Sequence, residues 1–382
     1  MKAIKEYRIT FLLVVIFLAS CDTSTTQAPE TLKAAFKDKF YIGTALNAWH
    51  ITGKDTAGIR VIKRQFNAIV AENCMKSEEL QPREGEFDFE LADQFVEFGE
   101  KNDMFITGHC LIWHSQAPKW FFTDSEGNDV SRDVMIERMK THINTVVSRY
   151  KGRVKGWDVV NEAFMEDGSW RKSKFYQIVG EDFLKLAFQF AHEADPEAEL
   201  YYNDYNEWYP GRRDAVVQMI RDLKAENIRI DAIGMQGHLD MDFPSIDEYE
   251  AAINAYTNEG MKVMITELDL SILPNPSPDA GADIATSFEY QQKLNPYTEG
   301  VPQAEMEKWD NRMLDFFRLF LKHSDVVTRV TLWGVSDGTS WKNNFPVPGR
   351  TNYPLLFDRN YKPKSIVPKL IEEAQKPEYN RE

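Results

Sequence analysis

Glu162 and Glu267 are the side chains of this 382-residue sequence whose settings point most directly to chemistry. Each closes an apolar run that turns abruptly polar: Asp158-Val159-Val160-Asn161 leads into Glu162, and Val263-Met264-Ile265-Thr266 leads into Glu267. Two carboxylates ~5 Å apart on either side of a sugar bond support double displacement, one as acid and then base, the other as nucleophile. The plainer alternative is a pair of strand-end acids held in salt bridges. The spacing alone leaves both readings open.

Other groups that are costly to bury unpaired stand in similar places: Glu72-Asn73, His109, Asn203-Asp204, Gln236 with His238, and Asp269 just past Glu267. Something must bring them together. Short apolar, β-branched or aromatic runs recur as predicted strands: Phe40 to Leu46, Ala68 to Glu72, Met104 to His109, Val154 to Val160, Leu200 to Asn203, Ala232 to Gln236, Lys262 to Glu267 and Val327 to Trp333. Between them lie stretches with a period near 3.6, such as Val134, Met135, Met139 and Ile143, or Val216, Val217, Ile220 and Leu223. Eight alternating units without a Gly-rich phosphate loop predict an α/β fold, a (β/α)8 barrel, rather than a doubly wound sheet. A barrel presents all its strand C-termini on one face, where the loops build the site. Glu162 and Glu267, on the fourth and seventh predicted strands, would meet at that mouth. The Pro-rich stretch from Leu273 to Gln303, with Pro274, Pro276, Pro278, Pro296 and Pro302, is expected to form a rim.

Composition narrows the partners. With 45 basic and 60 acidic residues the formal charge is −15, which argues against nucleic acid, since polyanion binders need a basic footprint. The 13% aromatic content favours flat-faced ligands such as sugars without deciding for them. No Cys/His spacing suits a metal, so neither metal nor organic cofactor is expected. Lys2, Lys5 and Arg8 precede an apolar run, Phe11 to Leu18, too short for the ~20 residues of a spanning helix. That pattern predicts a secretory signal peptide over residues 1–20. Leu18-Ala19-Ser20-Cys21 resembles a bacterial lipobox, which makes Cys21 the expected lipidation site; a plain signal anchor is the alternative. Residues 21–31 read as a flexible tether and 32–376 as one catalytic domain. The expected address is therefore a secreted lipoprotein in the periplasm or on the cell surface, touching membrane only through its lipid, and monomeric. Cys74 and Cys110 are too few for a disulfide framework and read as buried thiols, with a disulfide between them as the alternative.

Four blocks carry a resemblance. Gly108-His109-Cys110-Leu111-Ile112-Trp113-His114-Ser115-Gln116, Trp157-Asp158-Val159-Val160-Asn161-Glu162-Ala163, Gly234-Met235-Gln236-Gly237-His238 and Ile265-Thr266-Glu267-Leu268-Asp269 look like the signatures of family 10 glycoside hydrolases. That family consists chiefly of endo-1,4-β-xylanases, and the likeness runs from about Phe40 to Pro368. It implies a (β/α)8 barrel and retaining hydrolysis of xylan and xylo-oligosaccharides. It makes Glu162 the acid/base and Glu267 the nucleophile, with His238 bonded to the nucleophile and Asp269 fixing that ring. Asn161 matches the asparagine that bonds the sugar 2-hydroxyl, and Gln236 a polar contact to nucleophile or sugar. Asn73, Lys76, His109 and Trp113 match contacts to the next sugar toward the non-reducing end. Trp333 and Trp341 match tryptophans that wall the cleft, where a hexose hydroxymethyl would collide. Tyr205, Asn206, Trp170 and Lys172 are expected on the leaving-group side. Cys74 and Cys110 depart from the family pattern, which often has Glu and Thr there. A β-1,4-glucanase or mixed-linkage endoglucanase on the same scaffold, or a glycan-binding lipoprotein without activity, are the alternatives.

Overall fold

A computed structural model of the chain describes residues 30–274 and 294–379. The predicted leader, Cys21, most of the tether, and Pro276 and Pro278 of the rim lie outside the described residues. Among the described residues nine strands are formed: β1 (Tyr41–Leu46), β2 (Ala68–Ala71), β3 (Phe105–Trp113), β4 (Gly156–Asn161), β5 (Glu199–Asp204), β6 (Ala232–Met235), β7 (His238–Asp240), β8 (Lys262–Ser271) and β9 (Val327–Leu332). All neighbours pair in parallel, in the order β6-β5-β4-β3-β2-β1-β9-β8-β7, and β6 also pairs with β8, which closes the sheet. β6 and β7 lie along the same side of β8, at Lys262 to Ile265 and at Asp269 to Ser271 respectively, so they make one interrupted stave. The result is an eight-stave (β/α)8 barrel.

Helices cover the barrel because the loops start them at the right places. Ser131 caps Arg132–Arg149 by accepting the Val134 N–H at 3.4 Å, and Ser245 with Glu248 forms a capping box at the start of Ile246–Asn258. Inside the wall, bulk on one strand meets glycine on the next. A Cβ on Gly108 would lie 2.1 Å from the buried Trp157 ring, and one on Gly156 would lie 2.1 Å from the Tyr201 hydroxyl.

Some element limits differ from those expected. The third strand does not stop at His109 but runs on to Trp113, so Cys110 sits within it and not past its end. Cys74 lies in the turn after β2, and both cysteines are buried free thiols, as read from the sequence; the alternative disulfide is not formed. Burial pushes the Cys74 thiol up to about 12 and Cys110 well above its usual value. The sixth strand breaks at Gly237, whose φ of 77° suits glycine, before resuming at His238. The expected rim is also shorter at its far end, since a helix, Gln303–Lys322, begins at Gln303 directly after Pro302.

Candidate active site

The strand C-termini open onto a cleft of about 720 Å³. Asn73, Lys76, His109, Trp113, Asn161, Glu162, Gln236, His238, Glu267, Trp333 and Trp341 all line it, and Asp269 lies behind His238. Register explains the convergence: Trp113 pairs with Asn161 across β3 and β4, and Asn161 with Asn203 across β4 and β5.

Glu267 is 5% exposed, and both its oxygens are engaged. Asn203 Nδ2 donates to Oε1 at 2.9 Å, and His238 Nε2 lies 3.3 Å from Oε2. Burial works to raise the Glu267 pKa. The His238 hydrogen bond, the positive fields of His109 and His238, and the Asn203 bond outweigh it, and the carboxyl is held below its usual value. His238 in turn is raised to about 9: burial opposes its charge, but the Asp269 carboxylate beside it and the Glu267 contact prevail, with Lys342 working the other way. Asp269 Oδ2 stands 3.1 Å from His238 Nδ1 and accepts Trp341 Nε1–H at 2.7 Å. Burial would raise Asp269 too, yet His238 and Lys342 keep it low.

Glu162 lies across this network. Gln236 Nε2 donates to its Oε1 at 3.1 Å, and His114 Nδ1 is 3.8 Å from its Oε2. The His114 ring is held below its usual pKa mainly by burial, opposed by Glu162 and aided by Arg171. Asn161 joins the two halves, and its neighbour fixes which way round its amide sits. Asn203 accepts Thr266 Oγ1–H at 2.6 Å and donates to Glu267, so its nitrogen is the atom 2.9 Å from Asn161. The Asn161 oxygen therefore faces it. The reversed amide would gain Trp113 Nε1 at 3.2 Å and the Asn203 carbonyl at 3.1 Å but set two NH2 groups against each other at 2.9 Å. One chain of amides thus runs from Glu162 through Gln236, Asn161 and Asn203 to Glu267.

On the side toward β2, Lys76 Nζ donates to Asn73 Oδ1 at 3.0 Å and to Gln116 Oε1 at 2.7 Å, and stands 4.7 Å from the Trp113 ring. Glu72 beside them is raised by burial, with Lys76 opposing. His109 Nδ1 is 2.9 Å from Asp158 Oδ2, and its ring meets Trp333 edge-on at 5.3 Å. Trp341 packs on His238 at 5.0 Å and carries Phe345 stacked at 4.8 Å. Of the residues expected on the leaving-group side, Tyr205 and Asn206 line the cleft. Trp170 and Lys172 do not: Trp170 packs on Phe164 at 4.5 Å, and Lys172 covers Tyr176.

Several members carried no assigned role in the sequence. Asn203 appears there only as a polar strand end; its register with Asn161 is what reveals its contact with Glu267. Gln116, Lys342 and Phe345 come from loops whose folded paths no periodicity foretells. Among the described residues no cluster of His, Cys, Asp and Glu is placed to hold a metal ion.

A family model described as glycosyl hydrolase family 10 matches residues 31–373. The chain is 50% identical over 348 residues to endo-1,4-beta-xylanase A of Xylanibacter ruminicola, covering 91% of this chain and 94% of that protein. It is 42% identical over 349 residues to the endo-1,4-beta-xylanase of Geobacillus stearothermophilus, covering 89% and 98%. Among solved structures, a GH10 endoxylanase retrieved from a sugarcane soil metagenome superimposes with a TM-score of 0.85 at 46% identity, covering 90% of this chain and 99% of that one.

Proposed function

The chain belongs to glycosyl hydrolase family 10 and is a retaining endo-1,4-β-xylanase; on that premise we propose that Glu267 is its nucleophile and Glu162 its acid/base. What carries the assignment is the Glu267 carboxylate, buried yet kept ionised by His238 and Asn203, on the same amide network as Glu162.

In the first step a Glu267 oxygen bonds the anomeric carbon while the glycosidic C–O bond breaks, and the Glu162 proton passes to the departing oxygen. In the second, Glu162 takes a proton from water, the hydroxide oxygen bonds the same carbon from the opposite face, and Glu267 leaves as carboxylate. Asp269, with Trp341 and Lys342 on it, keeps His238 charged and turned toward Glu267. Asn161 is assigned the sugar 2-hydroxyl, a contact that strengthens as positive charge builds on the ring. Gln236 orients the Glu162 carboxyl. Asn73, Lys76, His109 and Trp113 are assigned to the next sugar toward the non-reducing end.

Trp333 and Trp341 are assigned the apolar wall of the pentose site, where a hexose hydroxymethyl would collide, which favours xylose over glucose by ~1–3 kcal/mol. The glucanase and binding-only readings are not favoured, since the relatives named above are xylanases.

The test follows anomeric configuration by proton NMR and pairs it with two variants. Wild type is expected to release the β-anomer first. E267A should lose turnover while still binding xylo-oligosaccharides. E162A should hydrolyse xylan ~100-fold or more slowly yet still cleave activated aryl xylosides, whose leaving group needs little protonation. Equal xylan hydrolysis by E162A and wild type would reject the roles. We propose further that the enzyme is a monomer held at the periplasmic membrane or cell surface by lipid on Cys21, supported by the basic, apolar and Leu18-Ala19-Ser20-Cys21 segments. Palmitate labelling that persists in C21S would sink that.

A further inference from the structure

The turn that carries Glu162 is gripped from behind by groups that line no part of the cleft. Glu162 has a φ of 58°, in the left-handed region where a side chain of this kind is seldom found. Its surroundings must hold it there. The Glu162 N–H donates to the Asn203 carbonyl at 2.9 Å. The next N–H, that of Ala163, donates to the Tyr202 hydroxyl at 3.0 Å, and that hydroxyl donates to Asp204 Oδ2. Asp204 also accepts the Tyr205 N–H at 2.9 Å and lies 3.6 Å from Arg212 Nη1. Arg212 Nη2 then donates to the Phe164 carbonyl at 3.0 Å. Three successive residues after Asn161 are thereby tied to β5 and to the helix Pro210–Ala225.

Tyr202, Asp204 and Arg212 are each fully buried. Along β5, Tyr202 and Asp204 alternate with Asn203: Asn203 faces the barrel interior and Glu267, while Tyr202 and Asp204 face outward beneath the helix that carries Arg212. On the far side of the same loop, backbone packs closely on backbone at two glycines. A Cβ on Gly168 would lie 2.6 Å from the Gly211 carbonyl oxygen, and one on Gly211 would lie 2.6 Å from that of Glu166. A buried ion pair is a weak source of stability, because desolvation offsets most of its attraction. Fixing one geometry of the turn is the better account of it.

We propose that Tyr202, Asp204 and Arg212 form a positioning group for the general-acid step: they set the turn that aims the Glu162 carboxyl at the leaving-group oxygen, without touching substrate. This rests on Glu162 being the acid/base. Protonation matters for a poor leaving group and little for an activated one. A misaimed acid therefore slows unactivated substrates selectively, whereas general loosening of the barrel slows both.

Y202F keeps the ring, which packs on Phe164 at 5.8 Å, and removes only the hydroxyl. Expected is a ~10- to 100-fold fall in kcat/KM on xylopentaose. On 2,4-dinitrophenyl β-xylobioside, kcat/KM should stay within ~2-fold of wild type. Equal falls on both substrates, or no change on either, overturn the proposal. E162A is measured alongside; if it lacks the substrate split, the role of Glu162 has failed and not the positioning group alone. Should Y202F not fold by thermal unfolding, D204N, which keeps the side chain's shape but not its charge, carries the same expectation and the same overturning result.

Discussion

Without His238, Glu267 would lose the hydrogen bond and the positive charge that oppose its burial, and its carboxyl would move upward. Since Glu267 must be ionised to attack, the acid limb of kcat/KM should shift to higher pH in H238N, with more activity lost at pH 5 than at pH 7. An aryl xylobioside with a good leaving group isolates this limb from the proton transfer by Glu162. An unmoved limb would mean that some other group sets the nucleophile's charge. At this scale the sequence showed which residue types stand at strand ends, and the family likeness assigned their roles. It left Asn203 without a role, because the contact depends on which residue of β5 falls opposite Asn161. Gln116 was likewise out of reach: its hydrogen bond to Lys76 joins residues 40 apart.

Elements were legible where hydrophobic pattern and length agreed. All eight staves fall where the apolar runs predicted them, because parallel strands buried on both faces need continuous apolar stretches. Boundaries were harder where polar groups lie within a strand. His109 reads as a stop, yet β3 continues four residues beyond it, since its imidazole is satisfied by Asp158 across the β3–β4 pair and needs no water. The break at Gly237 is the converse case. Its left-handed φ interrupts β6, and β7 resumes with His238 beside Asp269, so a local backbone feature places the charged imidazole that holds the nucleophile. Trp170 and Lys172 were misplaced for a related reason. The loop after β4 folds back onto Phe164 and Tyr176 instead of toward the cleft, and a loop's direction is set by such packing, not by composition.

For the whole molecule, pH acts through buried groups whose shifts oppose each other. His238, raised from 6.5 to about 9, contributes stability that is full below pH 6.5 and is lost as pH climbs through 9. By linkage that amounts to about 3 kcal/mol. Asp204, raised to about 7 chiefly by burial, and Asp337, raised to about 6 for the same reason, bind protons in the folded chain that the unfolded chain has already released, so their contribution also fades as pH rises. On the acid side the signs reverse. His142 is lowered to about 4 by burial, so the unfolded state gains its proton first and stability drops from pH 6.5 downward. Glu267 and Asp269, both held low, add to that loss once pH falls through the usual carboxylate range. A formal charge of −15 adds self-repulsion as the histidines deprotonate. Stability should therefore peak in mildly acidic solution and decline between pH 6.5 and 9. Urea unfolding at those two pH values checks it: wild type is expected to lose about 3 kcal/mol more than H238N over the interval. A decline of the same size in both proteins would show that the charge on His238 is not what folding stabilises.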